Sequence, residues 1–540
     1  MENNSDKKPC AVQKIETSQG FSVSYNNVFL YSKYNPSKNI ITTIERLNLL
    51  PGTIILCCSP LLGYGLSELL QKLPENCLIV LCEADKELYD FSIAEGTFCP
   101  TDKRILCTLQ DKLDDLPVTL YANAASGIYK RVIKLDMSAG VQAHRDYYDK
   151  LFAACSDSVM TFWKNRITLT KFGRRYSKNL FENLKNLAES IPIKDFFEVV
   201  DKPILVFGAG ESTQTFLDNN KIKKDDYFIL CADTALQPLL KNNLKPDGVF
   251  VEEAQSVITK AFIGIPKDIH IFAGLSSIPN ILHKTGCHNI SYFFTEYTNA
   301  IFINELKSKS FIPPVNSPFG SVGLTAVYYA LKFRKSEAVP VYVTGLDFSY
   351  STGITHTKGA LAQILRLITG NRLQSIANYA AAFGAGTEKV CDKNGRSVIT
   401  SPALKSYASM FKNIFSNTKN LFDAGASGID LGLAHADMNC FPVNSAHNDT
   451  KVNDTGFFPD TLSKDINEYL SNERNALEYL RALLTGKTEL KDKELMCEIK
   501  KIAEPREYLY LHFADGYKFS TSQSFLNRIR TEIDFFLKFL

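Results

Sequence analysis

The sequence predicts an α/β fold, with a Rossmann-like central domain built on a mostly parallel sheet, a smaller N-terminal α/β domain and a helical C-terminal domain. From about residue 200, short apolar runs alternate with segments of helical spacing, as in a parallel sheet covered by helices on both faces. A similar strand–loop–helix–strand unit comes earlier in the chain, and the end of the chain has helical spacing only. Its 540 residues suffice for several domains. We expect these domains at 1–195, 196–440 and 455–540, with a linker at Asn444–Gly456.

The N-terminal domain is predicted to begin with a hairpin and to continue with a βαβ unit. Phe21–Tyr31 alternates as a hairpin does, whereas Thr53–Cys58 and Cys77–Cys82 are continuous apolar runs of strand length. Leu66–Leu73 lies between those two runs and has helical spacing. The loop Ser59–Gly65 is a poor phosphate cradle, so we expect this unit to be structural. Later helices are predicted at Leu151–Trp163 and Tyr176–Ile191.

The central domain is predicted from a longer series of the same alternation, which joins parallel strands through helices. Its strands are expected at Pro203–Phe207, Tyr227–Cys231, Gly248–Val251, Ile269–Phe272, Ile290–Phe293 and Val339–Val343. Its helices are expected at Thr213–Asn219, Ala235–Lys241 and Ser321–Phe333. The sequence Asp-Lys-Asn-Gly at Asp392–Gly395 predicts a hairpin turn. Asp465–Leu484 and Phe525–Leu540 predict helices of the C-terminal domain.

Charge and hydropathy exclude several classes of protein. Lys and Arg number 61 against 58 Asp and Glu, a net charge of +3, which is too even for a dedicated nucleic-acid-binding protein. No apolar run is long enough for a membrane span, and the polar N-terminus has no signal-peptide core. We therefore expect a cytoplasmic protein.

The thirteen cysteines predict buried free thiols rather than disulfides. Their number is odd and no CxxC pair occurs, which also argues against a structural zinc site. Six of them lie in or beside apolar runs: Cys57, Cys58, Cys77, Cys82, Cys231 and Cys287.

The strongest local feature is Gly208-Ala-Gly210-Glu-Ser212, which follows a predicted strand and opens a helix. Glycines let a ligand approach the backbone, and a helix N-terminus offers free N–H groups to a phosphate. The dinucleotide pattern GxGxxG is incomplete because Thr213 stands at its third glycine. Ser212 also suits a helix N-cap, so ordinary turn chemistry is the alternative to nucleotide binding.

Acidic residues follow the next two predicted strands. Asp233 and Thr234 end one of them, where ligands of open α/β sheets bind. Asp233 lies 23 residues after Gly210 and could meet a ribose, or it could cap the next helix. Glu252 and Glu253 end the following strand. Neighbouring residues on a strand point to opposite faces, so at most one of the two is expected to face a ligand.

A second polar loop, from Asn316 to Gly323, runs directly into a predicted helix. Gly320 and Ser321 stand at its N-terminus, which can hold an anion. Two such helix N-termini facing one crevice would suit a sugar nucleotide better than either alone.

Three reactive side chains follow the last predicted strand of the central domain. Asp347, Tyr350 and His356 occur within ten residues. His356 could act as a general base for an acceptor hydroxyl, Tyr350 could donate to a phosphate oxygen, and Asp347 could orient the loop or the base. The alternative is a loop held by its own Asp and His hydrogen bonds.

In this order, the segments FGAGES, LCADTALQPLLKNNLKPDGVF, PFGSVGLTAVYYAL and VTGLDFSYSTGITH resemble the motility accessory factor (Maf) family of flagellin glycosyltransferases. The resemblance covers about 195–435 and is more diffuse over 30–195. It implies transfer of a nonulosonic acid, pseudaminic- or legionaminic-like, from its CMP-activated form to Ser or Thr of flagellin in the cytoplasm. That activity would support assembly of the bacterial flagellum and motility.

The central domain is also similar to bacterial sialyltransferases. That similarity implies that Gly208, Gly210 and Ser212 line the CMP phosphate and ribose, and that Gly320 and Ser321 hold the sugar carboxylate or a phosphate. Asp233 and Ala232 would lie near the donor, where the sialyltransferases use Asn. The sialyltransferase catalytic histidine has no secure counterpart, so His356 is assigned from the residues alone. No DxD-like motif appears, which favours metal-independent transfer.

Two other functions stay open. The central domain is similar to the archaeal-type 6-hydroxymethylpterin diphosphokinase, which needs Mg²⁺, and Mg²⁺ is the one cofactor left open beside the CMP-sugar donor. A non-enzymatic flagellin-binding factor, docking through the C-terminal helices, is the second alternative. Convergence of Gly210, Ser212, Ser321 and His356 on one pocket would favour an enzyme.

Overall fold

The structure is a computed structural model that describes residues 12–124, 127–287, 289–436, 458–486, 490 and 492–540. The linker predicted at Asn444–Gly456 lies outside the described residues. The chain divides into two compact units: Met1–Lys171 with Leu511–Phe519, and Phe172–Tyr510 with Ser520–Leu540. The domain boundaries expected at 195, 440 and 455 stay predictions.

The first unit holds an antiparallel sheet and a parallel one. The antiparallel sheet contains β1 (Gln13–Thr17), β2 (Gly20–Tyr25) and β3 (Val28–Phe29), which confirms the predicted hairpin. The parallel sheet has the order β6-β5-β4-β7. Its strands are β4 (Thr53–Cys58), β5 (Leu78–Cys82), β6 (Ile105–Cys107) and β7 (Arg131–Asp136). The helices are α1 (Lys38–Arg46), α2 (Leu66–Lys72), α3 (Lys86–Ala94) and α4 (Leu116–Ala124).

One long helix, α5 (Arg145–Leu184), replaces two predicted helices. The sequence indicated separate segments because the residues between them are mostly polar and include Gly173, which weakens the apolar periodicity. The helix nevertheless continues through Gly173, because tertiary packing can outweigh the propensity of a single residue.

The second unit is built on a nine-stranded sheet of order β13-β12-β11-β10-β9-β8-β14-β17-β18. The neighbouring strands pair in parallel throughout. The strands are β8 (Ile204–Phe207), β9 (Phe228–Ala232), β10 (Gly248–Val251), β11 (His270–Gly274), β12 (Ile290–Thr295), β13 (Val315–Asn316), β14 (Val341–Thr344), β17 (Leu421–Asp423) and β18 (Ala434–His435). A separate hairpin joins β15 (Glu388–Cys391) to β16 (Ser397–Thr400), as the Asp-Lys-Asn-Gly turn predicted. The predicted α/β class is thereby confirmed.

Helices cover both faces of this sheet. Phe216 of α6 (Glu211–Asn219) contacts Phe207 on one face, and α10 (Val322–Phe333) packs on Ile204 and Val206 on the other. The other helices that begin in the second unit are α7 (Asp233–Lys241), α8 (Ile281–Thr285), α9 (Ile301–Ser308), α11 (Leu361–Thr369), α12 (Tyr379–Ala382), α13 (Pro402–Phe415), α14 (Asp460–Leu484), α15 (Asp492–Ala503) and α16 (Gln523–Phe536).

The order of the strands creates one crevice. From β8 the chain moves outward through β9 to β13 and then returns to β14 on the other side of β8. Loops that leave two such strands in opposite directions open a crevice at the carboxyl edge of the sheet, where open α/β proteins bind their ligands. The fold therefore places the loops after β8 and β14 on either side of the expected binding position.

The cysteines agree only in part with the expectation of buried thiols, because Cys99, Cys391 and Cys497 are exposed. Those of the described residues are free thiols, and all six that were expected to be buried are buried. In the described part of the chain, none of the helices has the length and apolar character needed to cross a membrane.

Candidate functional site

The loops after β8 and β14 are joined by their backbones. Gly208 N donates to Thr344 O and Gly210 N donates to Gly345 O, both at 2.8 Å. A Cβ atom on Gly208 would lie 2.3 Å from Gly345 O, and one on Gly210 would lie 2.6 Å from the Asp347 carboxylate. These glycines are therefore required by the contact between the two loops.

The Asp347 side chain binds the first turn of helix α6. Its carboxylate accepts hydrogen bonds from Ser212 N at 2.8 Å and from the Ser212 hydroxyl, and the same hydroxyl accepts from Gly345 N at 2.9 Å. The alternative in which Ser212 is the N-cap is wrong: Gly210 is the N-cap, and Ser212 lies inside the first turn. The chain's own carboxylate thus occupies the position at this helix N-terminus where an external anion would bind.

The environment of Asp347 is unusual for a carboxylate. The residue is 5% exposed, and burial raises the pKa of its carboxyl group to about 6, although the hydrogen bonds from Ser212 oppose that shift. The expected role of Asp347, to orient the loop or the base, stays a prediction.

A buried ion pair follows at the next strand. Lys393, in the turn between β15 and β16, binds the Asp423 carboxylate at the end of β17 and donates to Gly425 O at 3.0 Å. Asp423 also accepts from Gly425 N at 2.8 Å. This pair was not predictable from the sequence, because the turn and the strand are about thirty residues apart and nothing local shows that they meet.

A cavity of about 190 Å³ opens beside these loops. Asp347 and Tyr350, both predicted site residues, line it, but the other acidic and basic side chains were not predicted. Its lining consists of Glu211, Thr215, Asp347, Ser349, Tyr350, Ser351, Asp392, Arg396, Ser397, Val398, Ala426, Ser427 and Gly428. Arg396 Nε donates to Asp392 at 3.0 Å, so the one guanidinium of this lining is paired. Acids outnumber bases in the lining, which makes the cavity unsuited to a dianion.

Asp233 lies in a second part of the carboxyl edge, after β9. It is the first residue of α7 rather than its N-cap, and its carboxylate accepts from Thr234 N at 2.6 Å. Burial, together with the charges of Glu253 and Glu252, raises the pKa of Asp233 to about 7, although the hydrogen bonds from Thr234 oppose that shift. The group can therefore gain or lose a proton near neutral pH.

The two neighbouring glutamates make different contacts, as expected for adjacent strand residues. Glu252 accepts from the Thr325 hydroxyl at 2.8 Å and from the Thr295 hydroxyl at 2.5 Å. Burial raises its pKa. Glu253 accepts from Gln255 N at 2.8 Å and closes its own turn. Glu252 thus connects β10 and β12 with the first turn of α10.

The N-terminus of α10 is the open anion position of the carboxyl edge. Ser321 is its N-cap without a side-chain hydrogen bond, and Gly320 has a φ of 72°. The first N–H groups of a helix have no acceptor within the helix, so that of the partly exposed Val322 is available to a ligand, whereas Gly323 is buried. A Cβ on Gly323 would meet the Leu346 side chain at 2.3 Å, which places this helix start against the β14 loop. Asn316 donates to the Thr295 hydroxyl at 3.0 Å and supports the same region.

His356 and Tyr350 are held by their own loop. His356 Nδ1 lies 3.1 Å from the Thr355 hydroxyl, and burial lowers the pKa of the imidazole, which keeps it neutral. The next residue, Thr357, donates its N–H to Ala209 O at 2.8 Å, so the backbone beside His356 reaches the glycine loop. The Tyr350 hydroxyl donates to Ala381 O at 2.7 Å.

The structure brings several of the predicted residues together. Gly210, Ser212 and Asp347 contact one another, and Ser321 lies at the helix start that meets the same β14 loop. His356 joins this group through the backbone of its neighbour. The cavity is lined by none of the four residues that were expected to converge on one pocket, which are Gly210, Ser212, Ser321 and His356. Within the described residues, no three His, Cys, Asp or Glu side chains come together as a metal site would require.

One comparison with known proteins matches the segment that forms the crevice, and two others match nearly the whole chain. Residues 178–353 match the family described as "6-hydroxymethylpterin diphosphokinase MptE-like". An uncharacterized protein of Treponema pallidum (strain Nichols) is 31% identical over 557 aligned positions, which cover 97% of this chain and 94% of that protein. The solved structure of the Maf glycosyltransferase from Magnetospirillum magneticum AMB-1 matches with a TM-score of 0.57 and 13% identity, over 98% of this chain and 91% of that one. This last likeness establishes the fold, and the matched family segment contains the loops after β8, β9, β10 and β14.

Proposed function

Because this chain belongs to one family with the Treponema pallidum protein, carries an MptE-like domain and has the fold of a Maf glycosyltransferase, we propose that it is itself a glycosyltransferase. The resemblance to motility accessory factors, expected from the ordered motifs, is confirmed by the domain and the fold. In the proposed reaction, a nonulosonic acid passes from its CMP-activated donor to a Ser or Thr hydroxyl of flagellin. The reaction would take place in the cytoplasm and support flagellar assembly.

The observation that carries this proposal is the open N-terminus of α10 at the carboxyl edge of the sheet. Asp347 fills the corresponding position at α6, whereas Ser321 leaves the first turn of α10 uncapped by a side chain. A phosphate there would accept hydrogen bonds from the first N–H groups and meet the positive end of the helix dipole. Of the two helix starts predicted to bind the donor, the structure favours the one at Gly320 and Ser321.

The reaction requires a stabilised leaving group and a base. The bond between the anomeric carbon and the phosphate oxygen breaks, and its electron pair leaves with CMP, whose charge the α10 amides would stabilise. The acceptor oxygen bonds to the anomeric carbon, and its proton passes to a base. His356 is the base expected from the sequence. Asp233 is the second candidate because its pKa is about 7. Gly208, Gly210, Ser212, Thr234 and Tyr350 stay predicted donor-binding residues.

A carboxylate placed at the start of α10 should abolish CMP binding. The Val322→Asp variant puts a negative charge at the first helical position, where it stabilises the helix but repels a phosphate. For the wild-type protein, CMP at a hundredfold excess over its Kd should stabilise the folded state by about 2.7 kcal/mol, which a thermal-shift titration detects. We expect Val322→Asp to show no shift with CMP. Val322→Asn introduces a side chain of nearly the same size as Asp but without a charge, so this variant should retain most of the CMP-induced thermal shift.

The same titrations separate the alternatives. Equal CMP shifts for Val322→Asp and Val322→Asn would contradict the assignment of the phosphate to α10. A shift with ATP that depends on Mg²⁺ would favour the diphosphokinase named by the matched family. Binding of flagellin without any nucleotide shift would favour the non-enzymatic factor. Transfer itself is tested by the mass gained by purified flagellin in the presence of the CMP-sugar.

The stability of the second unit should depend on pH through Asp233. The pKa of its carboxyl group rises from 3.8 to about 7 on folding, so the neutral carboxyl is preferred in the folded state. The stability it contributes is present below the unfolded-state pKa and is lost as pH rises through 7, by about 4 kcal/mol at most. In urea unfolding between pH 4.5 and 8, we expect Asp233→Asn to flatten this fall. The exposed control Asp225→Asn should keep the wild-type profile, and an unchanged profile in Asp233→Asn would contradict the prediction.

A further inference from the structure

The segment after the β14 loop, residues 351–386, exposes an unusual number of large apolar side chains. Leu373 is 96% exposed and Phe383 is 80% exposed. Helix α11 within it contains no buried residue. The exposed apolar residues of this segment are Ile354, Leu367, Ile368, Leu373, Ile376, Tyr379 and Phe383. Large exposed apolar side chains concentrated in one segment in this way commonly mark a site of interaction.

The apolar segment is ordered by its own hydrogen bonds. Asn378 N donates to Gly353 O at 2.8 Å, and the Arg366 guanidinium donates to the Asn378 side chain at 2.6 Å. Asn371 and Gln374 exchange backbone hydrogen bonds at 3.1 Å and form a tight turn. The exposed side chains are therefore presented on a formed surface, which lowers the entropy lost on binding.

The charge of the segment is of one sign. From Phe348 to Thr387 the sequence contains Lys358, Arg366 and Arg372 but no Asp or Glu. None of these three cations forms an ion pair with another residue that the structure describes. Such a surface suits a partner that combines apolar side chains with acidic ones.

The segment is continuous with the crevice. Tyr350 and Ser351, at its start, line the cavity next to Asp347. The Tyr350 hydroxyl donates to Ala381 O within the segment. A polypeptide lying on the apolar segment would therefore lie along the stretch that carries His356 and would reach the cavity beside Asp347.

We infer that the apolar segment is the docking surface for the acceptor polypeptide, which binds through apolar side chains flanked by acidic ones. This inference rests on the proposed function and names the surface that selects its protein substrate. The C-terminal helices, which the sequence analysis suggested for docking, are not needed for it.

The test uses the full chain and a double variant, Leu373→Ser with Phe383→Ser. Both side chains are exposed, so the fold should be unaffected. Ile263→Ser is the matched control, because Ile263 is 72% exposed and lies elsewhere in the same unit. We expect the double variant to bind purified flagellin at least tenfold more weakly and to raise its KM for flagellin, with an unchanged CMP shift and donor KM. Arg372→Glu should weaken binding at low salt and have a smaller effect at 0.5 M salt.

Each outcome separates this inference from the proposed function. If wild-type protein glycosylates flagellin and the double variant does so with the same KM, the docking surface is wrong and the function stands. If wild-type protein neither binds nor modifies flagellin, both are wrong. If the wild-type protein sediments with vesicles of phosphatidylcholine and phosphatidylglycerol and the double variant does not, the surface binds a membrane. If light scattering shows a dimer of the wild-type protein and a monomer of the double variant, the surface binds a second copy of the chain. Either result would overturn the inference.

Discussion

Replacing Gly345 with alanine should destabilise the second unit by at least about 4 kcal/mol, because overpacking against fixed structure and strain at a positive φ are both among the causes of such large losses. Gly345 has a φ of 74°, and a Cβ there would lie 2.0 Å from the Thr213 hydroxyl and 2.4 Å from Gly208 O. Thr213 cannot turn away freely, because its hydroxyl donates to Gly208 O at 2.8 Å. The added methyl group would therefore push the two loops of the crevice apart, and urea unfolding would measure the loss.

Gly395→Ala is the matched control for this experiment. Gly395 has a φ of 76°, but no atom lies within 4 Å of the position that its Cβ would take. Its substitution carries only the backbone penalty of a left-handed residue, about 1 kcal/mol. The difference between the two variants isolates the contact between the loops. Equal losses would mean that the loops separate without cost.

Replacing Asp347 with alanine should cost about 3 kcal/mol of unfolding free energy and create an anion site. The change leaves Ser212 N and the Ser212 hydroxyl without their buried acceptor and removes the cap of α6. The vacated position resembles that of a bound phosphate, so 50 mM inorganic phosphate should raise the Tm of Asp347→Ala by more than that of the wild-type protein.

Asp347→Asn is the control for this second prediction. Its carbonyl oxygen can still accept from Ser212 N, so its loss should be smaller and its response to phosphate weaker. An identical phosphate response in the wild-type protein and in Asp347→Ala would contradict the idea that the carboxylate occupies an anion position.

The elements of the parallel sheet were predictable because each strand is apolar on both faces and each helix on one. The continuous runs ending at Phe207 and Cys231 coincide with β8 and β9 to within a residue. The two-residue strands β13 and β18 were missed, because so short an element carries no period. Helix boundaries also differ: α6 begins at Glu211 instead of Thr213.

The site was only partly predictable, because its contacts join distant residues. The sequence placed Ser212 and Asp347 on separate motifs, but their hydrogen bond spans 135 positions and only the order of the strands reveals it. Lys393 was assigned to a turn and Asp423 to no feature, although the two form a buried pair. Local patterns show which residues end a strand, whereas their partners depend on strand order and on the loops that return to the sheet.

The hydrogen bond between Gly353 and Asn378 closes the chain around residues 354–377. The residues between these two positions, including α11 and Leu373, form a loop whose two ends are hydrogen-bonded to each other. The entropic free-energy cost of closing such a loop grows only with the logarithm of its length, by about 0.6 kcal/mol for each doubling of the length. Beyond His356 and Thr357, which lie beside the glycine loop, its length and sequence can therefore change during evolution with little effect on the sheet. One crevice could in this way be matched to different partners by exchanging a single short stretch of chain.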